Sequence, residues 1–188
     1  MLAARLWHSA VGRRRAPGPL GSGNVTAERE YDSVHTKMLE AFPELSSAHD
    51  RFLEDWGLGD PPGEYLHLSL LDKLIELALL RGPSERRNAL LSRAFDFIER
   101  LVASPDSDIR NLGYVGVLES RAGWWYFRSL DFLGRSSCAQ LDRYDSSWRS
   151  SAVTSHGVVP PGDARSARHA DPWGVEQVVE HLIGGPAA

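Results

Sequence analysis

The 188 residues, 42% of them hydrophobic, are enough to bury one core without disulfides or metals. The single cysteine, Cys138, can form no internal bridge, which excludes a disulfide scaffold and suits a reducing cytoplasm. The net charge of −4 conceals an acidic body: four of the 21 basic residues (Arg5, Arg13, Arg14, Arg15) precede residue 26, leaving 17 against 25 acids, or −8, over residues 26–188, which argues against nucleic acid as a partner.

Residues 1–25 carry no acid and no apolar periodicity, and they lack the apolar stretch of a secretory signal, so they read as a disordered basic leader. From Thr26, a possible N-cap, Tyr31, Val34, Met38, Leu39 and Phe42 fall on helical spacing until Pro43 stops them. Leu45, Ala48, Phe52, Leu53 and Trp56 repeat the spacing up to Gly57. Residues 64–80 are apolar nearly all round, which predicts a central helix packed on several sides.

Arg81, Gly82 and Pro83 end that helix, and Ser84 can cap the next, whose stripe is Leu90, Leu91, Ala94, Phe95, Ile98, Leu101 and Val102. Ser104, Pro105 and Asp106 then read as N-cap, first-turn proline and first-turn acid of a helix bearing Ile109, Leu112, Val115 and Leu118. Gly113 and Gly116 inside it predict close approach of another helix, since each costs about 1 kcal/mol relative to alanine. Trp124, Trp125, Tyr126 and Phe127 open the next segment, where Phe127, Leu130 and Leu133 share a face; Ser136 or Ser137 can cap a short helix presenting Leu141, Tyr144 and Trp148.

Residues 149–170, rich in Ser, Pro, Gly, Arg and His, read as a flexible linker. Asp171 and Pro172 then start an amphipathic helix through Val175, Val178, Val179, Leu182 and Ile183, short enough that it must dock on its own domain or on a partner. No stretch alternates like a strand. The expected architecture is all-α: a single compact domain over residues 26–148 of about six to seven stacked antiparallel helices. In it, Ser84–Ala103 and Ser104–Ser120 resemble one two-helix unit of a HEAT-like solenoid.

Chemistry-bearing motifs are absent. No two of the seven histidines stand at i, i+4 on one helix, no H-E-x-x-H or cysteine pair occurs, and no G-x-S-x-G or phosphate loop is present. No metal and no cofactor is therefore expected. His67, on the central helix, reads as a packing histidine rather than a base. Asp72 and Glu76 at i, i+4, with Glu119 nearby in the pattern, are candidates for a carboxylate cleft or for a partner-facing edge, and Trp124 and Trp125 for the aromatic centre of an interface. No apolar run reaches the roughly 18 residues that a membrane span requires.

Residues from about 35 to 148 resemble a family of uncharacterised bacterial all-helical domains. The resemblance lies in L-E-A-F-P-E-L (Leu39 to Leu45), Y-L-H-L-S-L-L-D (Tyr65 to Asp72) and above all F-D-F-I-E-R-L-V-A-S-P-D-S-D-I-R-N-L-G-Y-V-G-V-L-E (Phe95 to Glu119), then F-L-G-R-S-S (Phe132 to Ser137) and Trp148. It implies a helical fold and no particular reaction. The expectation is a protein-binding module, by analogy of the immunity type that neutralises a toxin, whose partner is a second and basic protein. The alternatives are an enzyme with a carboxylate/histidine site that follows no motif, or a regulatory or structural domain.

Overall fold

The computed structural model describes residues 30–57, 62–119, 128–144 and 171–184, and every regular element among them is a helix. α1 is Val34–Ala41, followed by a 3₁₀ turn at Pro43–Leu45 and α2, Ser46–Trp56. α3 is Glu64–Leu80 and α4 is Glu85–Val102. α5, Ser107–Gly113, runs into a π-helical turn at Tyr114–Leu118; α6 is Arg135–Tyr144 and α7 is Val175–Ile183. The fold is all-α, as the periodicity predicts.

α3 organises the rest. Leu68, Leu70, Leu71, Leu74, Ile75, Ala78 and Leu79 are fully buried along one half of the helix, and the other half, which carries Ser69, Asp72, Lys73 and Glu76, is partly covered, so no residue of α3 is exposed. α1, α2, α4, α7 and the π turn surround it. Burying each leucine stabilises the fold by about 1.5–3 kcal/mol. The predicted α4 stripe is buried in full, with Leu91, Ala94 and Ile98 at 0% exposure, and α4 makes its broadest contact with α5. Val34, Met38 and Phe42 of the first stripe are buried, as are Leu45, Ala48 and Phe52 of the second.

Three apolar residues in the predicted stripes lie outside. Leu53 is 38% exposed, Trp56 42% and Leu130 43%. On α2 the core register is completed by His49, four residues after Leu45 and three before Phe52, and Leu53 turns one step out of it.

The two glycines act as predicted. A Cβ on Gly113 would lie 2.9 Å from Leu101 Cβ and from Val102 Cγ1 of α4, and one on Gly116 would lie 3.1 Å from Leu68 Cδ1 of α3. The helix widens here: Glu119 N–H donates to the Tyr114 carbonyl at 2.8 Å, a five-residue step. Ser84 caps α4 by accepting from Arg87 N–H at 3.1 Å. Two other expected caps differ. α5 is capped by Asp106, whose carboxylate accepts from Asp108 and Ile109 N–H, while Ser104 supports Asp106 from outside the helix. α6 takes its cap from α4: Glu99 accepts from the N–H of Ser136 and of Ser137 and from the Ser137 hydroxyl.

The C-terminal helix docks on its own domain, packing on α3 and α4 through buried Val175 and Val179. Asp171 accepts from Glu176 N–H at 2.6 Å, and Arg81 at the end of α3 reaches Glu176 and Glu180 at 3.6 and 3.4 Å. The basic leader, the linker and Thr26, Trp124, Trp125, Phe127 and Trp148 lie outside the described residues.

Gly113→Ala is expected to destabilise the protein by about 1–3 kcal/mol, because the α4–α5 contact must open to admit the methyl group. Gly82→Ala, where a Cβ meets nothing within 4 Å, should be nearly neutral. Phe95→Ala, at a ring only 1% exposed, should cost about 3–5 kcal/mol. Urea unfolding monitored by circular dichroism measures all three, and equal midpoints for the two glycine variants would refute the close approach.

Candidate functional site

Three histidines that lie 14 and 18 residues apart in sequence meet where α1, α2 and α3 come together. His35 stands near the start of α1, His49 on the inner face of α2, and His67 in the first turn of α3. The rings form a stack: His35 over His67 at 4.5 Å between centroids, His67 beside His49 at 5.0 Å, with His35 and His49 almost parallel at 8°. His49 and His67 are buried.

Hydrogen bonds fix the order of donors. His49 Nε2 lies 3.0 Å from His67 Nδ1, and the His67 ring also bonds the Pro62 carbonyl. A carbonyl only accepts, so with Nδ1 turned to His49 the donor to Pro62 is Nε2–H. His67 Nδ1 then carries a lone pair, and His49 Nε2–H donates to it. His35 is held from the other side: its Nδ1–H donates to Glu64 Oε1 at 2.6 Å and its backbone N–H to Glu64 Oε2 at 2.7 Å. Glu64, the buried first residue of α3, thereby fastens α1 to α3 with both oxygens.

Burial, reinforced by the neighbouring His35 and His49 rings, pushes the His67 ring down to about 4. Burial, and then His35, lowers His49 as well, against the opposing pull of Asp50 and Glu64. Both rings are therefore neutral at pH 7, as the hydrogen-bond order requires. Among the described residues no group of three or more histidine, cysteine or acidic side chains is arranged to hold a metal ion.

Phe52 of α2 joins this seat to the surface. Its ring meets His67 edge-on at 5.5 Å and Trp173, just ahead of α7, edge-on at 5.4 Å, and Trp56 lies beyond it at 6.3 Å. Outside, Asp50, Leu53 and Trp56 follow one another at three-residue intervals along α2, with exposed Glu54 four residues from Asp50. The result is an apolar and acidic edge on a polar, buried seat.

The carboxylates singled out by sequence are elsewhere. Glu76 pairs with Lys73 at 3.1 Å, Asp72 is half-buried on the same helix, and Glu119 is exposed after the π turn. None of the three lines the described cavities, the largest of which, about 670 Å³, lies between α1, the end of α4 and the start of α5. A smaller hollow between α1, α3 and α5 is lined by Tyr31, Asp32, Tyr65 and Asp108, and both tyrosine hydroxyls are raised above their ordinary range, chiefly by burial. The histidine site escaped the sequence reading because its members come from three helices. A signal was nevertheless present: His49 and His67 occupy core positions of apolar stripes.

The model of a domain of unknown function, DUF7674, matches residues 35–140, more than half of the chain. The chain belongs to this family. The DUF7674 match begins at His35 and takes in all of α2 to α5, so the histidine seat, Glu64 and the Leu53–Trp56 edge all lie inside the family domain, whereas Trp173 and α7 lie beyond it. No curated protein and no solved structure matches the chain.

Glu64→Gln should destabilise the protein at pH 7 by about 1–3 kcal/mol, because a neutral amide replaces the two charge-assisted bonds that the carboxylate accepts from His35. Urea denaturation measures this. An unchanged midpoint would mean that the clasp between α1 and α3 contributes nothing.

Proposed function

We propose that this DUF7674 protein is a protein-binding module and that the outer edge of α2 is its contact face. The observation that carries the reading is the exposure of Leu53 and Trp56 side by side on a helix whose neighbouring surface positions are Asp50, Glu54 and Asp55. Single exposed apolar residues are ordinary, but a tryptophan and a leucine one turn apart give an interface an aromatic anchor and its apolar neighbour. The acids beside them, on a body of charge −8 over residues 26–188, favour a basic partner and speed its approach. A second copy of the chain would set the same acids face to face.

Asp72, Glu76 and Glu119 remain candidates for the acidic surroundings of a contact, and Trp124 and Trp125 for further aromatic contacts. The immunity-type reading, in which the partner is a toxin silenced by being covered, is the finer form of the same proposal, by analogy with other small helical proteins. A reducing cytoplasm agrees with the lone Cys138, and no described helix is long and apolar enough to cross a membrane.

A second reading, catalysis by a histidine base, is favoured by the bonded His49–His67 pair. Against it, neither ring lines the cavities found among the described residues.

The test is affinity capture from the source organism at low and moderate salt, followed by a titration with the captured protein. The expected partner is basic, binds less well as salt rises, and loses about thirtyfold or more in affinity on Trp56→Ala if that ring is a central anchor. Leu130→Ala, at another exposed apolar site, serves as the control. Capture that is indifferent to both salt and Trp56, or turnover of a small molecule lost on His49→Gln, would overturn the proposal in favour of the second reading.

A further inference from the structure

Resting on that reading of the α2 edge, we infer that the histidine seat makes the contact face acid-sensitive: protonation of the His49–His67 pair releases α2 from α3 while the apolar core around α4 stays closed.

The argument begins with donors and acceptors. The pair is joined by one bond, from His49 Nε2–H to the lone pair of His67 Nδ1, at 3.0 Å. One added proton can be carried on His49 Nδ1, beside Asp50, without breaking that bond. A second proton, on His67, sets N–H against N–H, and attraction becomes repulsion. Among the described residues the carboxylate on α3, Glu64, already accepts from His35 with both oxygens.

Among the described residues the charged and titratable groups around the pair are few. α1 contributes His35, stacked on His67; α3 contributes Glu64; α2 contributes its own Asp50. The remaining ring neighbour, Phe52, is uncharged, and Trp173 packs edge-on against Phe52. A charged His67 would therefore lie between a second imidazole and an aromatic ring.

The sign follows from where the protons prefer to go. A solvated histidine binds its proton near 6.5, whereas the seated His67 does so only near 4. Between those values the open state holds more protons than the seated one, so the seat is at full strength above pH 6.5, weakens as pH falls towards 4, and loses no more below that on account of His67. α2 is the element that feels this first. It is held chiefly by α3 and the 3₁₀ turn, and its inward residues are Ala48, His49 and Phe52, whereas the α4 stripe contains no titratable side chain.

Amide hydrogen exchange on the full chain between pH 7.5 and 4, corrected for intrinsic rates, tests the inference without any partner. The opening constant of amides in residues 46–56 is expected to rise by about tenfold per pH unit for each proton taken up below 6.5. Amides in residues 85–102 should keep their protection over the same range. His67→Gln, which keeps a donor and an acceptor but does not titrate, should flatten the α2 response. If that variant fails to fold, NMR titration of the ring protons in the unaltered protein decides instead. Simultaneous loss of protection in α2 and α4, or a His67 ring that titrates at its ordinary value, would overturn the inference. Because none of these measurements involves a partner, a failed capture experiment leaves the inference standing, and its failure leaves the binding proposal untouched.

Discussion

A helix whose leucine-rich half is fully buried has to be enclosed, and the enclosure of α3, none of whose residues is exposed, is the constraint from which the other helices take their places. Amphipathic helices supply the walls: each has one apolar stripe to spend, and α3 is the common surface against which α1, α2, α4 and α7 spend it. The π turn completes the enclosure on the side where Gly116 lets the backbone approach Leu68 closely. α7 follows the same logic from the far end of the chain. A nine-residue helix is too short to hold itself together in water, so its valines and the Arg81 pairs at its exposed edge account for its persistence, with the apolar burial the larger share because exposed acids give ion pairs little.

Enclosure raises a second problem, the polar ends of the helices. The last carbonyls of α3 point into the domain, and arginines from elsewhere meet them: Arg87 Nε donates to the Ala78 carbonyl at 3.0 Å and Arg128 to the Leu79 carbonyl at 2.9 Å. Glu99 does the corresponding service for the first amides of α6. These bonds draw charge inward, and burial lowers Arg87 below its usual range, with the nearby Arg128 adding to the effect. The arginines nevertheless remain charged at any pH of interest, which makes them permanent fasteners. Histidine in the same position would not be.

That contrast explains which parts of the protein could be read from the chain. Stripes were legible because burial on a helix repeats every three to four residues, and the Ala94–Phe95–Ile98 run or the glycines at 113 and 116 need no knowledge of what they face. Contacts decided across the fold were not. Ser136 and Ser137 look like caps for α6, yet a glutamate 37 residues earlier takes the role, and Ser104 yields the α5 cap to Asp106, whose own N–H it accepts. Leu53 and Trp56 fit the α2 stripe by spacing alone; with His49 and Phe52 setting the core register Leu53 turns one step out of it, and Trp56, in register but at the last turn of α2, packs on Phe52 and stays exposed. Of the candidate site, the acidic character was legible in composition, whereas the convergence of His35, His49 and His67 depends on how three helices cross.

The placement of these rings bears on what the domain gains from them. Apolar side chains at positions 49 and 67 would fill the same space without desolvating a polar group, and such replacements in other buried networks are often neutral or stabilising. The polar seat is thus not the cheapest way to hold α2 down, but it does hold α2 in one register, since a ring that must both donate to Pro62 and accept from His49 leaves few alternative positions for the helix. The hold is conditional in a way the arginine fasteners are not, because it depends on a proton count. A contact face mounted on such a seat is rigid while the rings are neutral and loses its support when they are not, and the α4 core, which contains no comparable group, keeps the fold intact through that change.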